Sequence, residues 1–265
     1  SNDEIFKDVK LGSGSYSVIG LRDLPAAAAE DGKVEYGMSD EESKININKA
    51  PQDVLKNLLE IVGGIDSEES GKIAYSIINW RSPADRANKE GSGSFRYQSL
   101  DRPYNCKNAP METIEELLLV DGITPEIFAR IKSRITIYTN GAVNINTADE
   151  MVLRALGMSE ELAKKIASLH GAAVVQNGDP EETLFFTDIA SIPDAVMKKI
   201  SISSEEKGKI NSLSGAGLLS VKSDNFSGIV IGRSFAGQSL TGGAKIAFVF
   251  DRNANVIKYW SENVF

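Results

Sequence analysis

Apolar and polar positions along the chain fall into three regimes. Up to about residue 45 the runs are short and alternating. Residues 16–21 and 33–38 each read as a strand, with 26–32 as the loop between them and Asp31-Gly32 as its turn. Ahead of them Ile5, Phe6 and Val9 have helical spacing, which Gly12-Ser13-Gly14 interrupts. From Asn46 to about Ile200 the apolar positions recur with helical period. After Glu205 glycine, serine and β-branched residues rise, and 218–222, 226–235, 245–250 and 256–260 read as strands, with 251–255 as a turn. Two strands before a helical block and several after it predict an α+β protein: one antiparallel sheet interrupted by a large all-helical insertion at a loop. The expected parts are 1–45 as the first sheet segment, 46–211 as the insertion, and 212–265 as the segment completing the sheet.

The helical block contains a stretch that occurs twice. Ile45-Asn46-Ile47-Asn48-Lys49-Ala50-Pro51 runs on to Val54, Leu55 and Leu58. Val143-Asn144-Ile145-Asn146-Thr147-Ala148-Asp149 runs on to Val152, Leu153 and Leu156. The ungapped match is a repeated supersecondary unit: a short extended run, a capping residue, then a helix. Asn48 and Asn146 are the natural N-caps, since an Asn side-chain oxygen accepts a first-turn N–H. Pro51 then falls in the first turn, where no intrahelical N–H is needed. Thr147 competes as the second cap, with Glu150 at capping-box spacing.

Each repeat helix leads into a glycine hairpin. Gly64-Ile65-Asp66, Gly122-Ile123-Thr124 and Gly157-Met158-Ser159 resemble helix-hairpin-helix modules, whose hairpin reads glycine, apolar, glycine and holds a DNA phosphate on backbone N–H groups. Here Asp66, Thr124 and Ser159 stand at the second glycine, and each is a good N-cap for the next helix. The following turns carry Glu68, Glu69, Glu126, Glu160 and Glu161, which themselves complement the positive helix end. Residues 46–200 hold 22 acidic against 17 basic side chains. Structural capping therefore outweighs phosphate binding, and a nucleic-acid-binding protein of a DNA-uptake type is the alternative reading.

Charge and composition narrow the chemistry. The 265 residues are 42% apolar and 25% charged, which suits a core-forming protein. A net charge of −8 disfavours a nucleic-acid or anionic-membrane partner. A single cysteine, Cys106, excludes an intrachain disulfide. With His170 it could form a catalytic pair, but Cys106 reads as a small buried residue and His170 as a residue at a helix C-terminus. Glu115-Glu116 occupies consecutive helix positions that do not face each other, so it reads as a solvated face. Residues 117–119 are three leucines closing a predicted helix, 111–120. No catalytic, cofactor-binding or metal-binding residue is assigned, and no enzymatic activity is expected. Between Trp80 and Ala109 the helical period stops, and a loop of that length inside a domain is usually functional or disordered.

Several words, in order, carry a more specific resemblance. They are Asp40-Glu41 before Ile45-Asn46-Ile47-Asn48; Trp80-Arg81; Tyr97; Arg102-Pro103-Tyr104-Asn105-Cys106-Lys107-Asn108-Ala109-Pro110; and Leu117-Leu118-Leu119-Val120-Asp121-Gly122-Ile123-Thr124. Residues 143–148, Leu219-Ser220-Val221-Lys222-Ser223 with Phe226, and Tyr259-Trp260-Ser261-Glu262 continue the series. Together they resemble the K-type minor pseudopilins of bacterial type II secretion. The resemblance implies a pilin-like helix and antiparallel sheet carrying an inserted all-helical domain with helix-hairpin-helix-like repeats. It implies a subunit capping the tip of a periplasmic pseudopilus, with I-type and J-type minor pseudopilins as partners and no nucleic acid. It further implies a Gram-negative inner-membrane anchor through an N-terminal apolar helix. Ser1-Asn2 reads as a cloning remnant, and that helix is expected upstream of it. Members of the family can bind calcium through an acidic loop. Here the corresponding residues, 85–97, retain only Asp85 and Glu90, with Asp101 just beyond, against the six to eight oxygens calcium takes. Calcium is therefore possible by resemblance but not assigned to any residue.

Overall fold

In the computed structural model the described residues are 3–20, 36–83, 97–170, 175–176, 179–180, 186–236 and 239–262. The chain divides into two compact units, Ser1–Glu41 with Ser223–Phe265, and Glu42–Lys222. In chain order, α1 (Asp3–Phe6), β1 (Val9–Leu11), β2 (Gly14–Ile19) and β3 (Ser39–Asp40) come first. Then follow β4 (Ile45–Asn46), α2 (Gln52–Ile61), α3 (Ser67–Arg81), a 3-10 turn at Ile114–Leu119, α4 (Pro125–Ile131) and β5 (Ile135–Thr136). Next are β6 (Val143–Asn144), α5 (Glu150–Ala155), α6 (Glu160–Ser168), the two-residue strands β7 (Val175–Gln176) and β8 (Asp179–Pro180), α7 (Ile192–Lys199), α8 (Ser204–Gly215) and β9 (Leu219–Ser220). β10 (Asn225–Ala236), β11 (Ser239–Asp251) and β12 (Val256–Glu262) come last.

The first unit is an antiparallel sheet in the order β1-β2-β10-β11-β12, with β3 also paired to β10. Strands far apart in sequence thus share one sheet, Gly14–Ile19 lying against residues 229–234. Register assigns the faces. Ile229 pairs with Ala247, and Ser227 with Val249, and all four are buried on one side. On the other side Phe248 pairs with Trp260 and Phe250 with Ile257. Gly228 lies there beneath the Phe248 ring, where an added Cβ would come to 3.1 Å of the ring carbons, so the interruption in this apolar strand is a packing requirement. The expected strand at 33–38 is corrected: 33–35 lie outside the described residues, Tyr36 makes one isolated bridge to Ile19, and the strand is Ser39–Asp40. Asp40 and Glu41, which read as part of an acidic turn, accept hydrogen bonds at 2.5 Å from the hydroxyls of Ser223 and Ser227. The expected loop at 26–32 lies outside the described residues. The expected helical end at 3–11 is one helical turn followed by β1.

The second unit is built from two like repeats. In the first, β4 pairs in parallel with β5, and Ile47 N–H donates to the Thr136 carbonyl at 2.9 Å. In the second, β6 pairs in parallel with β9, and Ile145 N–H donates to the Ser220 carbonyl at 2.9 Å. Leu219–Ser220 thus belongs to this unit and not to the large sheet, and the unit ends at Lys222 instead of near residue 211. A short apolar strand does not encode its partner. The matched apolar positions Val54, Leu55, Leu58 and Val152, Leu153, Leu156 are all buried in one continuous core, each side chain contributing on the order of 1.5–3 kcal/mol. α2 and α5 meet directly, where the Asn57 amide donates to the Ala155 carbonyl at 3.1 Å.

Candidate interaction surface

The asparagines of the repeat do something other than cap. α2 begins after Pro51, which makes no side-chain cap, and α5 is capped by Asp149, whose carboxylate accepts Val152 N–H at 2.9 Å. The Asn48 and Asn146 cap assignments are therefore corrected. The helices start three or four residues later, because Lys49 and Ala50 first turn back onto the Asn46 carbonyl, as Thr147 and Ala148 do onto that of Asn144. Within each turn the first asparagine accepts the N–H of the second, Asn46 from Asn48 at 2.8 Å and Asn144 from Asn146 at 3.0 Å. The second asparagine then grips a distant backbone. Asn48 donates to the Met111 carbonyl and accepts Met111 N–H, both at 2.8 Å. Asn146 donates to the Phe186 carbonyl at 3.0 Å and accepts Phe186 N–H at 2.7 Å. A primary amide copies the donor–acceptor pair of a peptide unit, so each asparagine stands in for one rung of a β-ladder.

The hairpins are capped as expected. Asp66 accepts from Glu68 and Glu69 N–H, Thr124 from Ile127 N–H and Ser159 from Leu162 N–H. Gly64, Gly122 and Gly157 hold φ of +68°, +85° and +90°, the left-handed region that glycine enters without a Cβ penalty. Side chains of this protein thus occupy first-turn amides that a phosphate would need.

Cys106, His170 and Glu116 each have partners within the fold. Cys106 is buried against the Asn79 carbonyl, and burial pushes its thiol pKa up. His Nε2 of residue 170 lies 2.7 Å from the Ile145 carbonyl, so the two residues have separate partners. Burial acts to raise the Glu116 pKa, but the Lys107 ammonium at 2.7 Å and the Glu112 amide outweigh it and hold the carboxyl below its usual range. Glu116 closes a capping box with Thr113, and Glu115 is exposed. The leucine run forms a 3-10 turn in which only Leu117 is buried. Beside it Trp80 packs edge to face with Tyr97 and Tyr104, ring centroids 5.3 and 6.2 Å apart. Burial pushes the Tyr97 pKa up to about 12. Asp85 and Glu90 lie outside the described residues, and Asp101 is exposed. Among the described residues no three His, Cys, Asp or Glu side chains cluster as metal ligands, and no helix is long and apolar enough to cross a membrane.

What the sheet unit does present is its outer strand. β12 hydrogen-bonds to β11 on one side, and among the described residues no strand pairs with its other edge. Val256, Ile257, Tyr259 and Trp260 are 47%, 54%, 38% and 52% exposed. Edge strands are ordinarily guarded by charge, but the one lysine of β12, Lys258, is turned back onto Asp251 and Asn225, both at 2.7 Å. The local signal is that 256–260 is apolar at four of five positions and lacks the alternation of a half-buried strand, which does not by itself say that the strand lies at an edge.

Comparison with known proteins agrees with this architecture. Residues 23–140 match the family model described as type II secretion system (T2SS), protein K. A chain of the crystal structure of the GspK-GspI-GspJ complex from the enterotoxigenic Escherichia coli type 2 secretion system shares the fold at a TM-score of 0.61 and 15% identity, over 97% of this chain and 81% of that one. No curated protein sequence matches significantly. A sheet assembled from both ends of the chain, a helical insertion between them, and a match over residues 23–140 agree on what this chain is similar to: protein K of type II secretion, in sequence over that stretch and in fold over nearly its whole length.

Proposed function

We propose that this protein caps the tip of the periplasmic pseudopilus in an inner-membrane-anchored secretion machine and so serves the export of folded proteins across the outer membrane. Its partners there are the I-type and J-type minor pseudopilins. The observation that carries the reading is the shared fold, over nearly the whole chain, with a component of a heteromeric GspK-GspI-GspJ assembly. Steric reasoning supports the terminal position. A subunit repeated along a helical filament makes the same head-to-tail contact at every level, and residues 42–222 would have to be accommodated each time. One copy at an end escapes that demand.

The sheet unit offers these partners the β12 edge. Exposed aromatic and aliphatic side chains on an outer strand suit sheet-edge packing. Mixing this protein with its cognate I-type and J-type domains, with mass read by light scattering, tests the proposal. A single 1:1:1 species is expected. A persistent monomer, or a long homopolymer, overturns it. Replacing Trp260 by Lys should weaken assembly at least tenfold, since buried interface tryptophans commonly contribute more than about 2 kcal/mol; unchanged affinity removes β12 from the interface.

A further inference from the structure

The two repeats solve one problem with different chemistry. In each, the carbonyl between the paired asparagines needs a donor. In the first repeat Arg81, at the end of α3, donates from its guanidinium to the Ile47 and Ala50 carbonyls. In the second, His170, just beyond α6, supplies the donor to the Ile145 carbonyl at 2.7 Å. Ile47 and Ile145 are matched positions of the repeat. Since a carbonyl only accepts, His170 must carry its proton on Nε2.

We infer that His170 makes the second repeat responsive to pH across the mildly acidic range, whereas Arg81 leaves the first one insensitive. Arginine remains charged throughout; burial lowers the Arg81 pKa to about 10, still far above neutrality. The neutral imidazole already satisfies Ile145 through Nε2. A second proton would go to Nδ1 and place a charge in a partly buried site, which disfavours it. Burial accordingly depresses the His170 pKa, and the Ile145 carbonyl only partly opposes this.

Several of the charges on the surrounding elements have partners of their own. On α6, Lys164 pairs with Glu160 and Lys165 with Glu161. On α5, Arg154 pairs with Glu150 and Glu160, and Asp149 with Arg134. On α7 and α8, Asp194 pairs with Lys207, and Glu206 caps its own helix. With the folded pKa below the unfolded value, the stabilisation is complete above about pH 6.5 and is lost as pH falls through the depressed folded value.

The protein has one histidine, so its ring signals in a proton NMR titration of the whole chain are unambiguous. The expected midpoint lies below about 6.5; a midpoint at or above that value overturns the inference. Hydrogen exchange between pH 7.5 and 5, corrected for intrinsic rates, reads the consequence. Protection of α5 and α6 should fall by up to about tenfold per pH unit below 6.5 relative to α2 and α3. His170→Gln retains an Nε-type donor without a titrating group and should abolish that difference. The same response in both repeats, or one that survives in His170→Gln, overturns the inference.

Discussion

The first and second repeats of the helical unit have the same extended run, the same asparagine turn and the same glycine hairpin, yet they are held by different partners. Asn48 is half-buried and bonds one residue, Met111. Asn146 is buried and bonds Phe186 twice and the Val221 carbonyl once, at 3.2 Å. Arg81 reaches two carbonyls of its turn, His170 one. The difference teaches that a duplicated word preserves the geometry of a turn while each copy is fastened by whatever its own surroundings bring near. Met111 and Phe186 are 63 and 40 residues from the asparagines that hold them. Each asparagine therefore pins the far end of a long connection to the start of its own repeat.

The largest effects should come from those asparagines. Asn146→Ala removes the partners of the buried Phe186 backbone groups and of the partly buried Val221 carbonyl and should cost about 2–4 kcal/mol; Asn48→Ala should cost about 1–3 kcal/mol. Urea unfolding of the two variants measures the difference, and equal midpoints would erase the asymmetry between the repeats. Next come the hairpin glycines. A Cβ on Gly122 would lie 2.5 Å from Ile73 Cγ1, whereas one on Gly64 would meet only the end of Arg130 at 3.1 Å. Both positions carry the left-handed strain of about 1 kcal/mol, so Gly122→Ala should exceed Gly64→Ala by the overpacking term, about 1–3 kcal/mol. A comparable loss in thermal stability for both would show that Ile73 yields freely. The smallest effects belong to the caps. Asp66→Ala and Ser159→Ala should each cost about 0.5–2 kcal/mol, the former more because Asp66 accepts two amides and Ser159 one. Unchanged denaturant midpoints would remove capping as the reason these residues replace glycine.

These features were unequally legible in the sequence. The repeat, its apolar positions, the hairpin glycines and the caps at Asp66, Thr124 and Ser159 were readable, because each follows from neighbours within about one helical turn. Burial of Val54, Leu55 and Leu58 with Val152, Leu153 and Leu156 also followed, since a helix period states which face must leave water. So did the antiparallel strands β10 to β12, their short connections leaving few alternatives.

Only the tertiary structure decided the rest. Asn48 and Asn146 are competent N-caps by local rules, and they lost that role because distant backbone groups at Met111 and Phe186 offered their amides two bonds at once. Leu219–Ser220 could have joined the large sheet by composition; its pairing with Val143–Asn144 places it in the helical unit. Asp40 and Glu41 read as part of an acidic turn, and only the fold shows Ser223 and Ser227, far along the chain, as their donors. The exposure of Trp260 is of the same kind. Hydrophobic periodicity is a property of a segment and can be read from it. Which polar group meets which, and which strand is left at an edge, are properties of a closed chain, set by contacts whose sequence separation local patterns do not encode.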